Sequence, residues 1–265
     1  MPVKDELGRT GSGVYEKPFI VAPGGERFSL FTYDANWRRV PNINVPANSV
    51  GVLPIVGPIT KYSGDCGEPG GMDHANFINI FASIQNVNSL VLILDTPGGE
   101  ARAAHDPVAA LKSFNKPVLS YVHGMSASLG QWYTAATKEV YLSNELDQVG
   151  SIGSYCTFFD FKGYLEQNGI VMHEIYAPQS TDKNKDYRDA LEGDYKAIEN
   201  DLKIHVDKFI EFVAARNDRA LQHKDKWSSG KMFYADEAIK YGLADGVMSL
   251  DKVISKAAWL GRRNK

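Results

Sequence analysis

The sequence predicts an α/β fold built on a largely parallel sheet. Three observations carry that expectation. Between residues 50 and 180, apolar β-branched runs alternate with stretches of helical periodicity, the pattern of strand–helix–strand crossovers. One run, SLVLILD at Ser89–Asp95, is apolar nearly throughout, as a strand covered on both faces must be. Two small-residue turns, DTPGG and GMSASLG, each follow an apolar run directly. Parallel sheets bind ligands at that position, beyond the carboxyl ends of strands.

The elements follow in order. Residues 1–48 are rich in Gly, Pro, Asn and charge and read as an N-terminal arm or peripheral layer, with Phe28–Tyr33 as a candidate strand. Residues 49–255 carry the main domain. VGVLPIVGPIT, from Val50, is a buried strand and its exit. Tyr62–Met72 holds five glycines or prolines and reads as a loop. Phe77, Ile80, Phe81 and Ile84 then fall on one helical face. After Ser89–Asp95, Asp106 and Pro107 look like an N-cap and first helical residue, leading to Ala110, Leu111 and Phe114. Lys116–Val122 is the next strand, and HGMSASLGQWYTAAT is a turn entering a short helix. EVYLS reads as a strand, Phe159–Gln167 as a helix closed by Gly169, and GIVMHEIYA as another strand. Tyr195, Ile198, Leu202, Val206, Phe209 and Val213 mark a long amphipathic helix. YADEAIKYGLADGV reads as a helix closed at Gly242, then a strand, and residues 256–265 as a basic, solvated tail. No repeat or low-complexity tract interrupts this order.

Composition narrows the class. The 265 residues carry 29 Lys and Arg against 32 Asp and Glu, a net charge of -3, whereas a general nucleic-acid binder is normally basic. No apolar run approaches the ~20 residues of a membrane span. The start, MPVKDELGRTGSG, lacks the apolar centre of a signal peptide. Cys66 and Cys156 make neither a disulfide framework nor a zinc spacing, and His173-Glu174 has no H-E-x-x-H context. The expectation is a soluble, cytoplasmic protein with no metal or organic cofactor, no nucleic-acid partner and no integral membrane segment.

Both turns have chemical potential. Paired glycines let backbone N–H groups approach a ligand or a developing oxyanion. A serine at the first turn of a helix sits near the positive end of its dipole. Each turn also has a plain explanation: a tight strand-to-helix connection for Gly98-Gly99, and an ordinary N-cap for Ser128.

In combination, DTPGG followed by Gly-x-Ser-Ala-Ser-x-Gly resembles the Clp protease/crotonase superfold, a spiral of ββα units, here with a C-terminal helical segment. Four segments, LILDTPGGE, SASLGQWYTAA, VGSIGSY and GKMFYADEAIKYGLADGV, make the chain similar to the signal peptide peptidase A family of serine peptidases, with its phage and prophage members. The resemblance implies Ser128 as nucleophile, and Gly99 and Leu129 as oxyanion donors. Its base is a lysine, implied here as Lys183 with Lys185 as the rival, because the residues before it are altered to Ser180-Thr181-Asp182. Ser151 matches the hydroxyl that steadies the lysine. His123, on the strand leading to the nucleophile turn, is the minor alternative base. A lysine base must be desolvated to be neutral near pH 7. Trp132 and Tyr133 either line a substrate pocket or pack the nucleophile helix.

The implied activity is endopeptidase action on a protein or peptide substrate, by a homo-oligomer that is cytoplasmic or virion-associated. The family's cellular members carry a membrane anchor that is not seen here, which turns the expectation toward phage capsid or scaffold maturation. A catalytically inactive assembly protein and an acyl-CoA-handling crotonase are the rivals.

Overall fold

The computed structural model describes residues 17–64 and 67–264; Cys66 lies outside them. Of the described residues, those up to Gly153 and those from Phe209 onward form one compact unit, and Ser154–Lys208 a second.

The first unit opens with β1 (Phe19–Val21), β2 (Arg27–Ser29), β3 (Phe31–Tyr33) and β4 (Arg39–Pro41). β3 and β4 pair as a separate hairpin, while β1 joins the main sheet antiparallel to β5 (Ser49–Val56). Helix α1 (Gly71–Ser83) leads to β6 (Val87–Thr96), and α2 (His105–Ser113) to β7 (Val118–Ala127). Helix α3 (Leu129–Ala135), β8 (Glu139–Leu142) and β9 (Gln148–Gly150) follow. β5, β6 and β7 run parallel in that order, joined by right-sized helical crossovers. Along β6, Leu90, Leu92 and Leu94 pack with α1, α2 and α3, while Val91 and Ile93 face the opposite cluster. Because a strand alternates faces, an unbroken apolar run needs cover on both sides, and SLVLILD has it. Helix α2 starts at His105 after a short 3-10 turn, so Pro107 is its third residue rather than its first, and Ala104, not Asp106, is its N-cap.

β7 changes partner midway. Leu119–Val122 pair with β8, whereas Met125–Ala127 pair with β9. The break falls at His123–Gly124, and Gly124 takes φ 107°. Two carboxylates take up the backbone donors freed there. Gly124 N–H donates to Asp147 Oδ1 at 2.9 Å, and Met125 N–H to Asp95 Oδ1 at 3.2 Å. Gly124 and Met125 are exposed, and the two carboxylates hold their N–H groups in place of the ladder partners the switch removes.

The second unit holds α4 (Lys162–Gln167), α5 (Lys185–Leu191) and the start of α6 (Lys196–Ala214), which ends in the first unit. Gly169 closes α4 with φ 71°, but the helix begins at Lys162, later than its expected start at Phe159. GIVMHEIYA is not a strand. Val171, Met172 and Ile175 are exposed, and among the described residues no strand pairs with them. A β-branched run becomes a strand only where another backbone satisfies its N–H and C=O groups.

The chain returns through α7 (Asp218–Gln222), α8 (Lys224–Trp227), β10 (Met232–Phe233), α9 (Ala235–Lys240), β11 (Gly246–Val247) and α10 (Leu250–Arg263). β10 pairs antiparallel with β9, and β11 parallel with β8. Gly242, at φ 80°, closes α9 as expected. Residues 256–263 are not a tail: they form the second half of α10 and bury Ala257, Ala258 and Gly261 over the sheet. Alanine and glycine carry little apolar signal, so this face is faint in sequence. Among the described residues no helix is long and apolar enough to cross a membrane.

Candidate active site

The nucleophile turn is tighter than its sequence suggests. β7 continues through Ser126 to Ala127, α3 starts at Leu129, and Ser128 alone makes the corner. It does so at φ 49°, ψ -114°. For a non-glycine residue this backbone costs on the order of 1–3 kcal/mol and persists only where its surroundings hold it. Ser128 N–H donates to the Gly150 carbonyl at 2.9 Å, and Gln131 N–H donates to the Ser128 carbonyl at 2.8 Å. The buried Gln131 side chain closes the corner by donating from Nε2 to the Ser126 carbonyl at 2.7 Å. Ser128 is the N-cap of α3, yet its hydroxyl makes no capping bond. Its Oγ is therefore not consumed by the task that explains most serines at helix starts. The Leu129 N–H, first in the helix, has no intrahelical acceptor.

The glycine turn is pressed against this corner. Gly98 takes φ 99°, and a Cβ on it would stand 2.7 Å from Ser128 Cβ and 2.9 Å from the Leu129 nitrogen. Its N–H donates to Thr96 Oγ1 at 3.0 Å, and the Ile59 N–H donates to its carbonyl at 2.8 Å. Glu100 N–H in turn donates to the Ile59 carbonyl at 2.9 Å. These last two bonds form a parallel bridge centred on Gly99, which directs the Gly99 N–H away from Ile59. Gly99 is exposed, whereas Gly98 is buried.

Ser151 lies beside the same corner. Ala127 pairs with Gly150 across β7 and β9, and Ser151 follows at φ 55° with its N–H donating to the Lys231 carbonyl at 2.7 Å. Thus Ser128, Ser151, Gly99 and Leu129 all belong to the first unit and sit on adjoining turns at one end of the sheet. Lys183 and Lys185 belong to the second unit. Lys183 is exposed in the turn before α5; its N–H donates to the Ser180 carbonyl at 3.2 Å, and the Arg188 guanidinium donates to its carbonyl. Lys185 opens α5 and ion-pairs with Asp189, a hydrogen bond that raises its pKa above the ordinary lysine value. A base must shed its proton, so this pair works against Lys185 in that task.

The remaining sequence candidates resolve into supports. His123 Nδ1 lies 3.1 Å from Ser143 Oγ, and its ring stacks on Tyr121. Tyr133 is fully buried on α3, and its hydroxyl lies 2.9 Å from His74 Nδ1 on α1. Burial pushes His74 down to about 4, against the pull of Asp73, and pushes the Tyr133 hydroxyl up, so both are neutral near pH 7. Trp132 stacks on Phe209 and Phe212 with ring centroids 5.0 and 4.7 Å away, so both aromatics pack the nucleophile helix. Sequence reasoning missed Thr96, Gln131, Asp95 and Asp147 as supports of these turns. Thr96 stood inside the recognised DTPGG motif, but its side-chain bond depends on how the turn closes.

Comparison with known proteins adds identity to this geometry. The model of peptidase family S49 matches residues 110–262, more than half of the chain. Protease 4 of Haemophilus influenzae is 23% identical over 84% of this chain and 36% of its own length. The head-tail preconnector protein GP5 of Enterobacteria phage P21 is 24% identical over 96% of this chain and 51% of its own. The capsid assembly protease C of Escherichia phage lambda is 24% identical over 78% and 48%. This chain therefore spans about half or less of these relatives. Among solved structures, a variant of the 1510-N membrane-bound stomatin-specific protease in complex with a substrate peptide superposes with a TM-score of 0.50, at 20% identity, over 77% of this chain and 78% of that one. The fold is Clp/crotonase-like, and the chain belongs to peptidase family S49.

Proposed function

We propose that this chain is a serine endopeptidase with a Ser-Lys dyad. Ser128 Oγ attacks the scissile carbonyl carbon while Lys183 takes its proton. The carbonyl oxygen becomes an oxyanion held by the N–H groups of Gly99 and Leu129. Collapse breaks the C–N bond, Lys183 hands its proton to the leaving amine, and water then hydrolyses the acyl-enzyme by the same route. Ser151 orients the lysine amine. The observation that carries this reading is Ser128 itself: a strained corner residue with an uncommitted hydroxyl, packed against a glycine turn that presents one free N–H. Lys183 is preferred to Lys185 because Lys185 is committed to Asp189.

The phage relatives named for capsid assembly and head–tail connection support a structural protein of a phage head as substrate, met in the cytoplasm or on the assembling particle. A homo-oligomer is part of the proposal. Within Ser154–Lys208, Ala190 is the one buried residue of α4 and α5, while Tyr155 and Ile175 are 87% and 94% exposed. Apolar surface of that kind gains by being covered in an assembly.

A non-catalytic assembly protein is the second reading, favoured by the exposure of Lys183 and the ion pair of Lys185. A fluorophosphonate probe separates the two. Labelling of the full chain that Ser128→Ala abolishes supports the peptidase. An unlabelled chain, or a Ser128→Ala chain labelled as well as wild type, overturns it.

A further inference from the structure

Thr96 ends β6 fully buried, as the register partner of Ser126 in β7. Its two branches meet different turns. Oγ1 accepts the Gly98 N–H at 3.0 Å and donates to the Gly57 carbonyl at 2.6 Å. Cγ2 faces the nucleophile helix, where a Cβ on Gly130 would stand 3.0 Å from it. The hydroxyl thereby ties the glycine turn to the exit of β5, and the methyl touches α3.

We infer that Thr96 is a positioning residue for the oxyanion donors, acting through its hydroxyl. This rests on the reading of Gly99 and Leu129 as those donors. Gly98 and Gly99 each carry an N–H, and a loop with both free can present either. Thr96 Oγ1 occupies the Gly98 N–H, and the Ile59 N–H occupies the Gly98 carbonyl. The peptide plane before Gly98 and the plane before Gly99 are then both fixed, which leaves the Gly99 N–H as the one presented beside Leu129. Removing the hydroxyl leaves the buried Gly98 N–H without an acceptor, and the loop relieves this by turning. The loss falls on the transition state, because the oxyanion exists only there.

Two substitutions in the full-length chain separate the branches. Thr96→Val keeps a methyl toward Gly130 and removes the hydroxyl; Thr96→Ser keeps the hydroxyl and removes the methyl. The readout is fluorophosphonate labelling, resolved into a maximal rate and a half-saturating concentration, with thermal unfolding as the folding control. Thr96→Val should lower the maximal rate about 10- to 100-fold with little change in half-saturation, as misplaced donors do. Thr96→Ser should stay within about threefold of wild type, well short of the loss that misplacement causes. Wild-type labelling by Thr96→Val overturns the inference, and so does a Thr96→Ser chain that falls as far as Thr96→Val, since packing alone would then explain both. If Thr96→Val does not fold, Thr96→Ala carries the same comparison against Thr96→Ser. Ser128→Ala runs in parallel. Labelling that survives it fails the underlying reading, whereas labelling lost in Ser128→Ala but intact in Thr96→Val fails the Thr96 role alone.

Discussion

Gly98 and Ser128 share one wall: a Cβ on the glycine would lie 2.7 Å from the Cβ of the serine. The two turns lie far apart in sequence and meet because β6 and β7 are parallel neighbours whose carboxyl ends emerge together. Proximity of this kind places a nucleophile and N–H donors around one point in space, the arrangement acyl transfer requires.

Gly98→Ala should therefore be among the most damaging single changes. The added carbon would also stand 2.9 Å from the Ala127 carbonyl and 2.9 Å from the Leu129 nitrogen, at a φ of 99° that L-residues avoid. A loss of about 1–3 kcal/mol in stability is expected from the strained backbone. Activity should fall by at least about 100-fold, the scale set by loss of one oxyanion donor. Denaturant unfolding and labelling by the fluorophosphonate probe check the two effects separately. Wild-type labelling would mean that the two turns do not act together.

Ser128→Gly should trade activity for stability. At φ 49°, ψ -114° the serine pays for a backbone that glycine adopts freely. Relief of strain is offset by the larger entropy glycine loses on folding, leaving a net gain of up to about 1 kcal/mol. Thermal unfolding should show a midpoint equal to or above wild type, with no hydrolysis of casein. A clear fall in the midpoint would argue that the corner is unstrained.

The parts of this fold legible in sequence are those that depend on neighbours along the chain. SLVLILD announced a twice-covered strand because both alternating sets, Leu90–Leu92–Leu94 and Val91–Ile93, are apolar. The paired glycines and the small residues around Ser128 announced the turns. What stayed hidden depends on partners distant in sequence. GIVMHEIYA has the residues of a strand but, among the described residues, no strand beside it, and α10 buries alanine and glycine that carry little apolar signal. The supports of the site were hidden for the same reason. Asp95 and Asp147 acquire their acceptor roles only because β7 switches from β8 to β9 at Gly124.

The His74–Tyr133 pair makes acid stability testable. His74 is 3% exposed, and burial holds its folded pKa at about 4 against an ordinary 6.5. Below 6.5 the unfolded chain binds a proton that the folded chain refuses, so stability falls as pH drops from 6.5 toward 4. A displacement of that size is worth about 3 kcal/mol in full. His74→Gln keeps a group able to meet the Tyr133 hydroxyl but does not titrate. Denaturant unfolding between pH 7 and pH 4 should show a shallower decline for His74→Gln than for wild type. Parallel declines would place the acid sensitivity elsewhere.

The dyad itself is tested by separating its two lysines and its two units. Lys183→Ala should match Ser128→Ala in its loss of labelling and hydrolysis, because groups that act as one unit are not additive. Lys185→Ala should retain most activity, since it removes an ion pair between exposed side chains rather than a proton acceptor. A reversed outcome would transfer the base to Lys185, and full activity in both would remove the lysine mechanism. Ser128 and Lys183 lie in different compact units, so the pair can be supplied by one chain or by two within the proposed oligomer. Mixing Ser128→Ala with Lys183→Ala, each inactive alone, should restore partial hydrolysis if the dyad spans two chains. A fully active monomer by light scattering would defeat the oligomer. No rescue in an oligomer shown to exchange subunits would place both residues in a single chain.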